Sequence, residues 1–213
     1  VKGYRGSYLT AYNNGDYGVY AFDAVDGVLD HSYATGSPDA GFYIGQCYPC
    51  DAIVNNVVSE YNGLGYSGTN SGGSLYITSS IFRNNKGGLA PNTLDSELLP
   101  PERETFIIGN LIENNNNYNS PATNSTYLSY GNGVVIAGGN NNIIKNNVIV
   151  DHDLYGVILT ASMDVNYWPA HGNRVEENLI LSSRKADIAV SGVSNLANCF
   201  EGNYFNTSIP PGL

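Results

Sequence analysis

Along residues 131–156 the chain reads GNGVVIAGGNNNIIKNNVIVDHDLYG, in which the apolar runs 134–136, 143–144 and 148–150 alternate with polar breaks. The runs are short and β-branched, which suits strands, and the breaks are rich in turn-forming Asn, Asp and Gly. None of the breaks centres on the NG or DG of a tight hairpin, so the strands are not expected to return antiparallel. After Tyr155 the pattern restarts: Gly156-Val157-Ile158-Leu159 repeats Gly133-Val134-Val135-Ile136, 23 residues later. Related runs occur at Gly18, Gly41, Gly65 and, more weakly, at Gly88 and Asp187.

A second recurring pattern places Asn or Ser between two apolar residues, as in LDHSYA, IVNNVV, ITSSIF, IIGNLI, IKNNVI, VEENLI and FEGNYF, with an opening copy YRGSYL. The aligned polar position is Ser7, Ser32, Asn56, Ser80, Asn110, Asn147, Asn178 and Asn203. About 23 residues per period and three strand-length runs per period describe one turn of a three-sided parallel β-solenoid. Coils stacked at roughly 4.8 Å would give eight coils a length on the order of 38 Å. The polar column is expected to form an inward ladder of side chains that satisfies backbone groups at a turn. Ala34, Val58, Phe82, Ile112, Ile149, Ile180 and Phe205, two residues on, are expected to be core. The residues between, Tyr8, Tyr33, Val57, Ile81, Leu111, Val148, Leu179 and Tyr204, would then form an outward apolar stripe. A stripe of that kind calls for a cover, whether a second subunit, a missing segment or a protein partner over Val57, Ile81, Leu111, Val148 and Leu179.

This repeat resembles the right-handed parallel β-helix superfamily, which includes pectate lyases, rhamnogalacturonases, alginate epimerases and NosD-type periplasmic proteins. The resemblance runs from Tyr4 to Phe205. It implies an all-β, right-handed β-helix forming a single domain over residues 1–213. It also implies a polysaccharide partner and, if the protein is an enzyme, a lyase, glycoside hydrolase or epimerase. No cofactor is required by the residues themselves. Calcium is the one that the resemblance would add, because β-helix lyases commonly hold it on carboxylates.

Composition narrows the functional classes. About one residue in seven is Asn, Gly numbers 25, and only 13% of residues are charged, as expected of short strands joined by polar turns. A net charge of −10 argues against nucleic acid or an anionic membrane as partner. No apolar run reaches the roughly 18 residues of a transmembrane segment. The chain begins at Val1 inside a coil, as expected of part of a longer chain. Cys47-Tyr-Pro-Cys50 is open to three readings: redox pair, half of a metal site, or a small loop disulfide. The lack of a βαβ context and of nearby ligands favours the disulfide, and with it an extracellular, periplasmic or cell-envelope location. Cys199 is expected to be a buried free thiol.

Three insertions interrupt the period, at 93–104, 114–132 and 161–173. Solenoid insertions tend to gather on one binding face. The first and third leave at the same turn, two coils apart, so they are expected to wall a groove. β-Helix enzymes mostly carry their chemistry on outward strand positions. Here those positions are Tyr20, Phe22, Tyr43, Ser67, Thr69, Asn92, Val135, Ala137, Ile158, Thr160, Ala189 and Ser191, and none is charged. Acid–base chemistry therefore falls to the loop residues Asp95, Glu97, Asp164 and His171, with Arg103, Tyr167 and Trp168 as glycan-binding candidates. Asp151-His152-Asp153 resembles a catalytic tripeptide, but its place at a turn favours a solvated polar turn. Two classes stay open: a glycan-binding or glycan-processing β-helix, and a non-catalytic scaffold that docks a partner along the rod.

Overall fold

A computed structural model describes residues 1–123, 129–192 and 197–213; residues 124–128 of the 114–132 insertion lie outside them. The runs of each period enter three separate parallel sheets. Sheet one holds Arg5–Ser7, Gly27–Asp30, Ala52–Asn55, Gly72–Thr78, Arg103–Ile108, Ile143–Lys145, Arg174–Glu176 and Cys199–Glu201. Sheet two holds Thr10–Tyr12, Tyr33–Thr35, Val58–Glu60, Ile81–Arg83, Leu111–Glu113, Val148–Val150 and Leu179–Leu181. Sheet three holds Val19–Phe22, Ala40–Gly45, Leu64–Thr69, Gly87–Asn92, Val134–Ala137, Tyr155–Thr160, Ala186–Val190 and Ser208–Ile209. Successive coils pair in register, as Val134↔Val157 and Ile136↔Leu159 show.

The core is a stack of aliphatic layers. Ile77, Ile107, Ile144 and Val175 from sheet one meet Phe82, Ile112, Ile149 and Ile180 from sheet two. Tyr66, Leu89, Val134 and Val157 close the triangle from sheet three. Every coil buries the same face in the same register, because a one-residue slip would turn each of these side chains outward.

Most corners turn on one residue in the left-handed region followed by an inward polar residue. Between sheets one and two the left-handed positions include His31 (φ 44°), Asn56 (φ 53°), Asn146 (φ 56°) and Glu177 (φ 54°). The residues after them stand at the ladder level, polar in every one of these coils except at Val57. The Asn110 Nδ2 donates to Asn147 Oδ1 at 3.0 Å, Asn147 Nδ2 to Asn178 Oδ1 at 2.9 Å, and Asn178 Nδ2 to Asn203 Oδ1 at 2.9 Å. Ser80 and Ser32 continue the column with their hydroxyls accepting from Val57 N and Leu9 N.

Two ladder positions expected from the sequence are corrected. Asn56 is exposed and left-handed, and Val57, 1% exposed, occupies the ladder site. Asn tolerates positive φ better than most residues, so in the Asn55-Asn56-Val57 run the Asn serves the turn and the apolar residue falls inside. Ser7 lies in sheet one opposite Asp30, to whose carboxylate it donates, and Leu9 stands at the ladder level instead. The same shift makes Ser59, not Val58, the core residue of its coil. Phe205 is half-buried against the end of the core.

The outward stripe shifts accordingly. Its members in register are Tyr33, Val58, Ile81, Leu111, Val148 and Leu179, with Tyr204 bridged to Leu179. Val57 does not belong to it, and Tyr8 is a left-handed turn residue (φ 56°) stacked on His31. Cys199 is also corrected: it is an exposed free thiol, in register with exposed Arg174 on the outer side of sheet one.

The other two corners carry ladders that the sequence reading did not identify. Between sheets two and three, Asn62 donates to Asn85 Oδ1 (3.1 Å), Asn85 to Asn115 Oδ1 (3.0 Å), and Asn115 Nδ2 to the ring Nε2 of His152 (3.3 Å). His152 is therefore not a solvated turn residue but is 1% exposed, and burial lowers its pKa to about 3. Between sheets three and one, Thr105 N donates to Asn142 Oδ1, Asn142 N to Asn173 Oδ1, and Asn173 Nδ2 to Asn198 Oδ1. Glu102 is fully buried beside this ladder, accepting from Thr105 Oγ1 and Asn142 Nδ2 at 2.8 Å each.

Candidate functional site

The outer face of sheet three is where the interruptions of the repeat converge. The 93–104 and 161–173 segments follow the sheet-three strands Gly87–Asn92 and Tyr155–Thr160, and the 114–132 segment precedes the strand Val134–Ala137. Both ends of the strands are thus walled, which leaves a groove of about 450 Å3. Its floor consists of outward positions in register: Ser67 beside Ala90, Thr69 beside Asn92, then Val135, Ala137 and Thr160. Leu94 and Glu97 form one wall with Ala161, Ser162 and Met163, and Tyr17, Asp39 and Ser129 stand on the other sides. The floor is uncharged, as its sequence indicates, and the groove's carboxyls come from turns.

Of the four loop residues expected to carry acid–base chemistry, Glu97 is in the groove. It is held there by Tyr43, whose hydroxyl donates to Oε1 at 3.0 Å and Oε2 at 3.1 Å. Burial raises the Glu97 pKa, and the charge of Asp39 adds to the rise while the Tyr43 bond opposes it. Asp39, which the sequence reading missed, stands at about 6, raised first by burial and then by neighbouring Asp16; the hydroxyl of Tyr17 donates to it. Burial pushes the Tyr17 and Tyr43 hydroxyls well above their ordinary values, so both remain protonated donors. Tyr17, Tyr20 and Tyr43 pack with ring centroids 4.7–4.8 Å apart, and Phe22 stacks parallel to Tyr20. A carboxyl that keeps its proton near pH 6, close to a second carboxylate and phenolic donors, can give and take protons at a sugar oxygen.

The remaining expected site residues do other work. Asp95 clamps the two loops together: its carboxylate accepts from Asn166 N (2.7 Å), Asn166 Nδ2 (2.8 Å) and Trp168 Nε1 (3.2 Å). Those bonds, led by the Asn166 amide, hold the Asp95 pKa below its ordinary value. Asp164 accepts from the Asp95 backbone N at 2.9 Å. Trp168 and Tyr167 form one arm of a two-stranded antiparallel hairpin, Tyr167–Trp168 against Ser162–Met163. Backbone and Cβ atoms of Trp168 press on Gly138, where any side chain would collide with them. Trp168 therefore secures the wall. Arg103 and His171 lie outside the groove, at the corner that leads to sheet one, where both bridge Asn140 through their backbones. The Arg103 guanidinium covers the ring of Tyr48 at 3.6 Å, and that tyrosine belongs to the loop closed by the Cys47–Cys50 disulfide.

No group of three or more His, Cys, Asp or Glu residues is placed to hold a metal ion among the described residues. The Asp95 oxygens already accept three N–H bonds, and the groove itself offers only the Asp39 and Glu97 carboxyls, so the residues present do not make a calcium cage.

The clasp gives a prediction. Asp95→Ala removes three hydrogen bonds from the hairpin, so proteolytic cleavage within 161–169 should accelerate about tenfold while the global melting temperature falls by only a few degrees. Equal cleavage rates for the variant and the parent would mean that the loops do not depend on this carboxylate.

No protein-family profile matches the chain, and no curated protein sequence matches it. Solved structures do resemble it. The A-module of Azotobacter vinelandii mannuronan C-5 epimerase AlgE4 aligns with a TM-score of 0.55 at 17% identity, over 96% of this chain and 56% of that one. The periplasmic alginate epimerase AlgG aligns with a TM-score of 0.62 at 12% identity, over 95% of this chain and 46% of that one. The enzymatically active domain of bacteriophage CBA120 tailspike protein 2 aligns with a TM-score of 0.56 at 12% identity, over 96% and 37%. The chain spans between about a third and three fifths of the length of these proteins. Its fold is the right-handed parallel β-helix that they share. No helix is long and apolar enough to cross a membrane among the described residues.

Proposed function

We propose that this protein is an extracytoplasmic polysaccharide-binding β-helix whose glycan lies in the groove on sheet three. The observation that carries the reading is the groove itself. Three separate interruptions of an otherwise regular repeat wall the same strip of one sheet, and the ring of Tyr17, apolar side chains, hydroxyls, the Asn92 amide and two carboxyls line it. Such a mixture suits a sugar, whose C–H faces pack on apolar surface while its hydroxyls seek polar partners. Asp39 and Glu97 place two carboxyls beside the bound chain, the kind of groups that glycan processing uses. The similarity in fold to two alginate epimerases and a tailspike domain supports a polysaccharide ligand.

The scaffold reading is weaker. Its stripe on sheet two is half-buried at Ile81 and Leu111, and Val148 and Leu179 are only 39% and 36% exposed, which leaves little apolar area for a partner to cover.

Ala137→Trp tests the groove. Ala137 faces outward on the floor and is half-exposed, so an indole there should fill the groove without disturbing the core. Retardation in polysaccharide-containing native gels should be lost in the variant while its melting temperature stays within about 2 °C of the parent. Retardation that survives the substitution would place the glycan elsewhere.

A further inference from the structure

The groove's charge identifies the class of glycan, an inference that rests on the groove being the glycan site. We infer that the groove selects neutral polysaccharides and rejects polyuronates. Its lining includes the carboxyls of Asp39 and Glu97 and no Lys, Arg or His. Asp16 adds a third negative charge close enough to act on Asp39, Tyr17 and Tyr20. A polyuronate carries a carboxylate on every sugar. In a groove partly shielded from water each one would face fixed like charges with no cation to offset them.

Most of the chain's nine lysines and arginines have partners away from the groove. Arg5 pairs with Asp26, Arg83 with Glu60, Lys145 and Arg174 with Glu176, and Arg184 with Asp153, while Arg103 covers Tyr48, Lys86 donates to the Tyr118 carbonyl and Lys185 covers Tyr155. None of these is among the residues that line the groove. What the groove does offer is suited to uncharged rings. Ser67, Thr69, Asn92, Thr160 and Ser162 present hydroxyl and amide groups. Carboxylates are strong acceptors for sugar hydroxyls, and an uncharged sugar brings no repulsion with that acceptance. The specificity is thus opposite to that of the alginate-directed proteins with the same fold.

Affinity electrophoresis tests it, with a neutral set (mixed-linkage β-glucan, xyloglucan, galactomannan) and an anionic set (alginate, polygalacturonate), with calcium and with chelator. At least one neutral polymer should retard the protein, with an affinity that changes less than about twofold between 50 and 500 mM NaCl, since no ion pair is involved. Both polyuronates should bind at least about tenfold more weakly or not at all. Thr160→Lys, which places a cation on the floor, should bring polyuronate binding that disappears at high salt. Polyuronate binding by the parent at equal or greater strength, with or without calcium, overturns the charge selectivity while leaving the groove as a glycan site. Absence of retardation by every polymer in both sets overturns the groove reading itself, and the selectivity with it.

Discussion

Asn147→Ala should destabilise the protein by about 2–4 kcal/mol, because one amide side chain serves several buried groups at once. Its Nδ2 donates to the carbonyl of Ile107 at 2.9 Å and to Asn178 Oδ1 at 2.9 Å. Its Oδ1 accepts from the Asn110 backbone N at 2.9 Å and from Asn110 Nδ2 at 3.0 Å. Truncation leaves the Ile107 carbonyl and the Asn110 backbone N without these partners where Asn147 itself is 1% exposed, while Asn110 Nδ2 keeps its bond to the Ile77 carbonyl. Each orphaned group costs roughly 1–3 kcal/mol, and partial relaxation keeps the total below the sum. Against the roughly 5–15 kcal/mol that a domain has in all, this is a large share. Urea denaturation reads it directly. A loss under about 1 kcal/mol would mean that water replaces the amide at this corner and that the ladder is not a main source of stability.

His152→Asn should raise stability at pH 4.5, relative to its effect at pH 7, by about 3 kcal/mol. The ring ends the second ladder as an acceptor from Asn115, so the neutral form carries its proton on Nδ1, which has no protein partner among the described residues. The folded pKa of about 3 lies below the ordinary 6.5. The unfolded chain therefore takes up a proton that the folded chain refuses, and stability present above pH 6.5 is lost as pH falls toward 3. Between 6.5 and 4.5 that is two pH units, each worth about 1.4 kcal/mol. The parent's own pH curve conceals this. Buried Glu102, raised to about 8 from 4.5 by burial, works the other way: its contribution is full below 4.5 and is lost as pH rises through 8. The variant's curve minus the parent's isolates the histidine. A difference that does not change with pH would mean that His152 is reached by water and titrates normally.

Much of the architecture was legible because a solenoid repeats its instructions. The run Gly-Val-Val-Ile at 133 and its copy at 156 enter the same sheet in register, and the apolar residues Phe82, Ile112, Ile149 and Ile180 are fully buried in one column. The misreadings at Ser7 and Asn56 differ in kind. At Asn56 a polar residue serves the left-handed turn instead of the ladder, and at Ser7 a strand residue two before the ladder level was taken for it; where Asn and Ser are frequent, the pattern alone does not separate strand, turn and ladder. The second and third ladders were hidden for a related reason, since Asn85, Asn115 and Asn142 sit in Asn-rich stretches that read as ordinary loops. At the site, the uncharged floor and Glu97 could be read from the sequence, but Asp39 could not. It comes from a turn more than fifty residues before Glu97, and only the stacking of coils brings the two to one groove. Trp168 was noticed because it is the chain's single tryptophan. Its Nε1, however, points to Asp95, a role that depends on a loop–loop contact absent from any local pattern.

Hydroxyl-radical footprinting with and without a retarding polysaccharide addresses the groove most directly. Met163, 80% exposed, and Leu94, 36% exposed, both on the loop wall, are reactive reporters inside it. Tyr76 on sheet one and Tyr204 at the end of the sheet-two stripe are exposed reporters outside it. With the glycan in the groove, oxidation of Met163 and Leu94 should fall several-fold while Tyr76 and Tyr204 react as before. Protection of Tyr76 or Tyr204 with Met163 unchanged would contradict the account.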